Sequence, residues 1–308
     1  MPRAILTPDV VTEAEQHITW LLADLEMVPY QRTASMAGRI ATLATHGLGS
    51  SRETEAPLHR LAGKAVLVQA DALREIGKPK IAADLVGQAR IHAAHSGDPQ
   101  ILAAAAHVGT ALAFYEGRPQ RAAHDAAEAS EWVTGTQMAV RLHLERARAL
   151  GMLRDAPGTR AAVTAAWSGW DALPYEQQSD QPAQWFDSIS AAELLYFSTV
   201  ALALAGSNVL AEETAAEAIN VLRRSRMRGY EGCVCLALAT MWAYSGLLDL
   251  DHAVSLAHEG LDLFGDRREV STDSAAQRFI VAAKPHIGAD GVSDVLDRIV
   301  EWRQLPLH

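Results

Sequence analysis

The chain is poor in cysteine, in lysine, in long apolar runs and in net positive charge, and each shortage excludes something. Of 308 residues only two are cysteine, Cys233 and Cys235. Helical side chains turn by about 100° per residue, so positions two apart point in nearly opposite directions. The two thiols therefore cannot easily chelate one metal or bridge each other, and they are expected as core fillers in a reducing compartment. No apolar run approaches the roughly 20 residues a membrane helix needs; the longest, Leu194 to Ala205, contains Tyr196, Ser198 and Thr199 and stops at Gly206. Met1-Pro2-Arg3-Ala4 offers no basic segment followed by an apolar one. No signal peptide is expected from it, and the expected location is cytoplasmic.

Basic charge is outweighed: 27 Lys and Arg against 37 Asp and Glu give a formal net charge of −10 and a pI of 5.6. Affinity for a phosphate backbone comes mainly from Lys and Arg, so direct nucleic-acid binding is not expected. Lysine occurs only as Lys64, Lys78, Lys80 and Lys284, which suggests a GC-rich coding bias rather than a physical demand. The one basic cluster, Arg223, Arg224, Arg226 and Arg228, falls at an expected helix end, where cations suit the macrodipole.

Catalytic signatures are missing too. The sequence holds no P-loop, no dinucleotide-binding glycine fingerprint, no HExxH and no nucleophile elbow. Glu13 and His17 lie at i, i+4, and His92 and His95 at i, i+3 with Asp98 nearby, but two ligands make a weak metal site. Neither metal nor cofactor is expected. Glu212-Glu213 and Asp249/Asp251 are read as acidic residues at helix starts, where they suit the dipole.

What the chain does have is a recurring turn. Gly77-Lys78-Pro79, Gly117-Arg118-Pro119 and Asp155-Ala156-Pro157 are followed by looser versions at Gly206-Ser207-Asn208, Gly246-Leu247-Leu248 and Gly288-Ala289-Asp290. Lead residues are spaced by 40, 38, 51, 40 and 42. A period of this size with helical sequence on both sides signals stacked helical hairpins. Period-two alternation is absent, and Ala, Leu, Glu and Arg dominate, so no strand is expected. Hydrophobic residues make up 49%, in keeping with a globular protein.

The expected fold is all-α, a right-handed superhelical stack of antiparallel helix hairpins. Residues 1–46 form an N-terminal hairpin packed on the array, with helices over about 8–27 and 31–45. Ile18, Leu21, Leu22 and Leu25 make the apolar stripe of the first. A loop covers 47–57. Residues 58–308 then form six hairpins, with helix pairs at about 58–76 and 79–95, 100–115 and 119–133, 137–153 and 157–172, 188–205 and 209–225, 230–245 and 251–264, and 273–287 and 291–304. Prolines suit the helix starts, where the missing N–H costs nothing. Ala82-Ala83, Ala122-Ala123 and Ala161-Ala162 let paired helices approach closely. A polar, proline-bounded insertion at 174–187 explains the spacing of 51; Trp185 and Phe186 suggest that it packs back on the stack. One continuous domain is expected.

The units carry the skeleton of tetratricopeptide repeats, as in Gly77…Ala82…Ala89…Pro99 and Gly117…Ala122…Ala129, at a period longer than the usual 34. More of the chain, roughly 17–290, resembles the C-terminal sensory half of bacterial XRE-type helix-turn-helix regulators. The matching stretches are Leu73 to Pro99, Ala111 to Ala129, and Gln184-Trp185-Phe186-Asp187 leading into the next helix. The resemblance implies a degenerate tetratricopeptide array that senses a signal. About 16 residues precede the first matching helix, too few for a helix-turn-helix domain, so DNA binding is not carried over.

In tetratricopeptide arrays the first helix of each hairpin lines the concave groove. Taking Gly77, Gly117, Ala156, Gly206, Gly246 and Gly288 as equivalent, the groove positions ten residues earlier include Leu67, His107, Arg146, Tyr196, Cys235 and Gln277, the last two with a one-residue slip. Neighbouring positions hold Lys64, Asp71, Arg74, Thr110, His143, Glu193 and Trp242. The competing explanation for these polar residues is solvated surface. The sharper one is a groove binding a peptide carboxylate or polar metabolite through His107, Arg146 and Tyr196, with Arg146 as the anionic anchor. Arg141, Glu145 and Arg148 are expected as intrahelical ion pairs. The first functional reading is a regulatory binding module for a peptide, protein partner or small signal, linked to transcriptional or pathway regulation. The alternative is a biosynthetic enzyme or accessory protein using the groove as an active site. A dimeric scaffold is the third, and the array also allows a homodimer.

Overall fold

A computed structural model describes residues 7–23, 28–49, 51–179, 186, 188–244 and 249–308. Leu25, Trp185 and the turn at Gly246-Leu247-Leu248 lie outside the described residues.

Fourteen α-helices account for most of the described chain: α1 (Pro8–Ala23), α2 (Tyr30–Gly47), α3 (Glu55–Glu75), α4 (Pro79–Ser96), α5 (Pro99–Tyr115), α6 (Pro119–Trp132), α7 (Gln137–Met152), α8 (Ala156–Asp171), α9 (Ala191–Leu204), α10 (Asn208–Arg224), α11 (Arg228–Tyr244), α12 (Leu250–Phe264), α13 (Val270–Ala283) and α14 (Val292–Trp302). Two short 3-10 turns, Tyr175–Gln177 and Lys284–His286, interrupt the connections. The only strand-like contact among the described residues is an isolated bridge between Arg268 and Leu307. No helix among them is long and apolar enough to cross a membrane.

Local chemistry sets the helix ends. Proline opens α4, α5 and α6, where no N–H is needed. Asp98, Asp155 and Asp249 accept from the backbone N–H groups of Gln100, Gly158 and His252, satisfying donors that a helix start leaves free. Ser190 and Glu193 form a reciprocal capping box at the start of α9.

The turns after α3, α5, α7 and α9 share one geometry. Gly77, Gly117, Arg154 and Gly206 all have left-handed backbone, at φ 72°, 73°, 58° and 74°. Each donates to the carbonyl three residues back, and the residue after it donates five residues back, as Lys78 does to Leu73 and Asp155 to Leu150. This is the Schellman closure, normally built on glycine. In the third turn the equivalent position is Arg154, not the Ala156 of the sequence-based register. Counting ten back from Arg154 lands on Leu144, which is buried, rather than Arg146, which is exposed.

The helices divide into two kinds. Every residue of α9 from Ala192 to Leu204 is buried, and α3, α5, α7 and α11 are buried on most sides. By contrast α4 buries only the stripe Ala82, Val86, Ala89 and Ala93, and α10 the stripe Ala211, Ala215, Ala218 and Leu222. A helix apolar all round is an interior helix; a single stripe marks a surface one. The contacts agree: α3, α5, α7, α9, α11 and α13 each pack on the next, while α4, α6, α8 and α10 pack on the helices flanking them in sequence. Close approach is secured by small residues. An added Cβ on Gly151 would meet the Ala201 carbonyl oxygen at 2.6 Å, and one on Gly232 the Gly260 carbonyl oxygen at 2.9 Å.

The row of interior helices also turns back on itself, because α13 touches α3 and α5. Ser271 N–H at the start of α13 donates to Glu75 at the end of α3 at 3.0 Å. Gln31 of α2 donates to the carbonyl of Leu307 at 3.0 Å. Phe186, at the end of the insertion, is buried and sits 5.6 Å from the His107 ring, so this part of the insertion does pack on the helices.

Candidate functional site

Polar and aromatic side chains concentrate where the interior helices face α13. On α3, Arg74 bonds to Asp71 at 2.6 Å and to Glu75 at 2.9 Å. On α7, Arg148 bonds to Glu145 at 2.6 Å and to the Tyr115 hydroxyl at 3.2 Å. Its guanidinium also lies 4.3 Å from the Phe114 ring and 5.1 Å from the Phe197 ring, a cation–π environment. Arg141 reaches across to α9, bonding Glu193 at 2.8 Å and the Ser188 carbonyl at 2.6 Å. Tyr196 stacks on Tyr230 with ring centroids 4.5 Å apart. From α13, Arg278 comes within 5.9 Å of the Phe114 ring and donates to Ser274 at 2.7 Å.

Electrostatics sorts these groups. Burial opposes the charge on Arg74, Arg141 and Arg148, but Asp71, Glu193 and Glu145 respectively raise each pKa in compensation. His107 Nδ1 is 3.4 Å from Glu145 Oε1 without the alignment of a hydrogen bond. Burial, then the guanidinium groups of Arg141, Arg148 and Arg74, push the imidazole pKa well below its ordinary value. The ring is therefore neutral, and its contact with Glu145 is not an ion pair. Burial holds Tyr115 and Tyr196 protonated, and it pushes the Cys233 thiol up to about 12, far from the thiolate a nucleophile needs. Arg278 is the exception among the cations. Burial lowers its pKa, and the nearby Arg148 lowers it further.

Of the expected groove residues, the structure brings Asp71, Arg74, His107, Glu193 and Tyr196 to this cluster. Thr110, one turn beyond His107 on α5, is fully buried and its hydroxyl makes no hydrogen bond among the described residues. Lys64 is half-buried on α3. Trp242 stands apart, donating to Glu212 at 2.5 Å and meeting His252 edge-on. His143 lines a separate cavity of about 200 Å³ with Ser130, Glu131, Thr134, Thr136, Ala139, Val140 and Gly169. Arg146 is exposed on α7, so the interior cations of that helix are Arg141 and Arg148. The expected intrahelical pairing holds for Arg148 with Glu145, while Arg141 pairs across helices.

Sequence reasoning missed Glu75, Tyr115, Tyr230 and Arg278, and treated Cys233 as filler. The available signal was the Schellman position: registering the third turn on Arg154 would have moved the anchor off Arg146. Elsewhere, His92 meets His59 with Nδ1 atoms 2.9 Å apart, and His95 stacks on His59, while Asp98 pairs with Arg60 and caps α5. No group of three His, Cys, Asp or Glu among the described residues is arranged to hold a metal. No protein-family model matches the chain, and a search of curated proteins finds no match.

Proposed function

We propose that the chain is a right-handed superhelical stack of tetratricopeptide-like hairpins that acts as a binding and regulatory protein. Its ligand, a peptide, a protein partner or a small signal, is taken up on the face where the interior helices meet α13. The resemblance to the sensory half of XRE-type regulators ties that ligand to transcriptional or pathway control.

One observation carries the reading. Arg74 Nη1, His107 Nδ1, Thr110 Oγ1 and Arg148 Nε are buried without hydrogen bonds among the described residues, and all belong to α3, α5 and α7. A buried polar atom left unpaired costs about 1–3 kcal/mol. Arg74, His107 and Arg148 lie within electrostatic range of one another, and unpaired atoms on such neighbours support a site whose partners come from outside the chain. The protonated thiol and phenols beside them favour binding over acid–base chemistry.

The test is native mass spectrometry of the purified protein, followed by thermal shift against metabolite and peptide collections. A bound or stabilising molecule is expected, with binding weakened in Arg148→Met and unchanged in Arg146→Ala. A protein that carries nothing and responds to nothing sinks the reading.

A further inference from the structure

Arg278 differs from every other arginine around the interior cluster. Arg74, Arg141 and Arg148 each have a carboxylate within 2.9 Å. Arg278 has none among the described residues; its hydrogen-bond partner is the neutral hydroxyl of Ser274. The guanidinium groups of Arg278 and Arg148 both lie near one ring, Phe114, at 5.9 and 4.3 Å, so two like charges share one low-dielectric neighbourhood. Arg148 is nine-tenths buried, and its Nε donates to nothing among the described residues. Tyr115 and Tyr196 are within electrostatic range of both cations. With Cys233 they are the groups that would raise the Arg278 pKa, but only when ionised, and burial keeps all three neutral. Arg278 and Tyr115 are half-buried while Arg148 and Tyr196 are buried, so the first two are the side chains that solvent reaches.

Glu145 occupies one Nη of Arg148 and the Tyr115 hydroxyl the other, which leaves Arg148 Nε unpaired among the described residues. Arg278, a forked cation with no carboxylate of its own among them, beside that N–H and two protonated phenols, is complementary to an oxyanion that accepts paired N–H bonds from its guanidinium. We propose that Arg278 and Arg148, with the hydroxyls of Tyr115 and Tyr196, form a site for a small molecule bearing a carboxylate or phosphate, placed where α13 meets α5. This deepens the binding reading above and rests on it. A ligand there would tie α13 to α7 and supply the counter-charge that Arg278 lacks.

The test titrates inorganic phosphate, succinate and citrate, at ionic strength matched with chloride, into the wild-type protein and into Arg278→Gln, Arg278→Lys and Arg146→Gln. Calorimetry and thermal shift read the outcome. At least one oxyanion should bind and stabilise the wild type. Its affinity should fall about tenfold or more in Arg278→Gln, as expected for a lost charged hydrogen-bond pair, fall less in Arg278→Lys, and hold in Arg146→Gln. Phosphate binding best assigns a phosphoryl group, and succinate or citrate a carboxylate. Arg278→Gln should also fold at least as stably as wild type without ligand, because it removes an unpaired cation beside Arg148. Arg278→Lys, which keeps the charge, carries the comparison should the glutamine variant not fold. Three results overturn the proposal: none of the three probes binding; equal response to oxyanions and chloride; or a lower melting temperature in Arg278→Gln with unchanged probe affinity, which makes Arg278 structural. A co-purifying ligand that is neutral or cationic and indifferent to Arg278→Gln also overturns it, while leaving the binding function intact.

Discussion

Glu75 and Ser271 are 196 residues apart in the chain, yet the Glu75 carboxylate accepts the Ser271 backbone N–H at 3.0 Å. The same carboxylate bonds Arg74 at 2.9 Å, so one buried side chain joins the end of α3 to the start of α13. A carboxylate at a helix N-terminus also suits the dipole. Glu75→Ala strips Arg74 of one of its two counter-charges and leaves a part-buried N–H unpaired. Breaking a buried pair of this kind costs about 3–5 kcal/mol. Urea unfolding should show a loss of that order, with Glu75→Gln losing less because an acceptor oxygen remains. Hydrogen exchange should quicken first in α13. Loss confined to α3 would mean that the contact between the two ends is not holding α13 in place.

Two glycines in helices make opposite predictions. Gly151 faces α9, where an added methyl would sit 2.6 Å from the Ala201 carbonyl oxygen and 3.1 Å from Leu204 Cβ. A backbone carbonyl cannot swing aside, so α7 and α9 must part. Gly151→Ala should destabilise by about 1–3 kcal/mol, the usual range for overpacking. Gly87 on exposed α4 has nothing within 4 Å of its added Cβ, and Gly87→Ala should stabilise by about 1 kcal/mol through helix propensity. Denaturant midpoints of the two variants should move in opposite directions.

Helix content was legible because proline and capping residues punctuate it. Pro79, Pro99 and Pro119 stand at or within one residue of the expected starts of α4, α5 and α6. Where edges slipped, a local cap explains it. α9 starts at Ala191 rather than 188 because Ser190 and Glu193 close a capping box. α13 starts at Val270 rather than 273 because Glu269 and Thr272 do the same. The site was less legible. Its composition depends on which helix faces meet across distant hairpins, as with Arg141 and Glu193 or Glu75 and Ser271. No local pattern encodes the return of α13 to α3 and α5.

The third turn was misread because arginine occupies a glycine position, and this carries its own prediction. Arg226, after α10, has the same left-handed backbone at φ 58° and the same closure, with Met227 N–H donating to the Leu222 carbonyl at 3.0 Å. A side chain in that region costs about 1–2 kcal/mol per residue. Arg226 is exposed, so Arg226→Gly should stabilise by about 1 kcal/mol in urea unfolding. Arg154→Gly should gain less, because Arg154 lies over the Tyr244 ring at 4.4 Å and that contact contributes about 0.5–1 kcal/mol. An equal gain in both variants would remove the stacking from the account.

Acid should weaken the fold through its histidines. Burial and then His95 lower the His59 pKa, against Glu55; burial, then His59 and His95, lower that of His92. The two Nδ1 atoms, 2.9 Å apart, can share one proton but not hold two. Burial, then Arg141, Arg148 and Arg74, hold His107 far lower. Each folded-state value lies below the unfolded value of about 6.5. Between the two values the unfolded chain binds more protons, so stability rises with pH there. The full contribution is present above about pH 6.5 and is lost as pH falls below it. Unfolding free energy should be flat between pH 7 and 8 and decline from pH 6.5 towards 5. His92→Gln removes one of the facing rings and should make that decline shallower when urea midpoints at pH 5.5 and 7.5 are compared. His107→Gln removes the most strongly depressed histidine and should flatten it further. A decline as steep in both variants as in the wild type would place the acid sensitivity elsewhere in the chain.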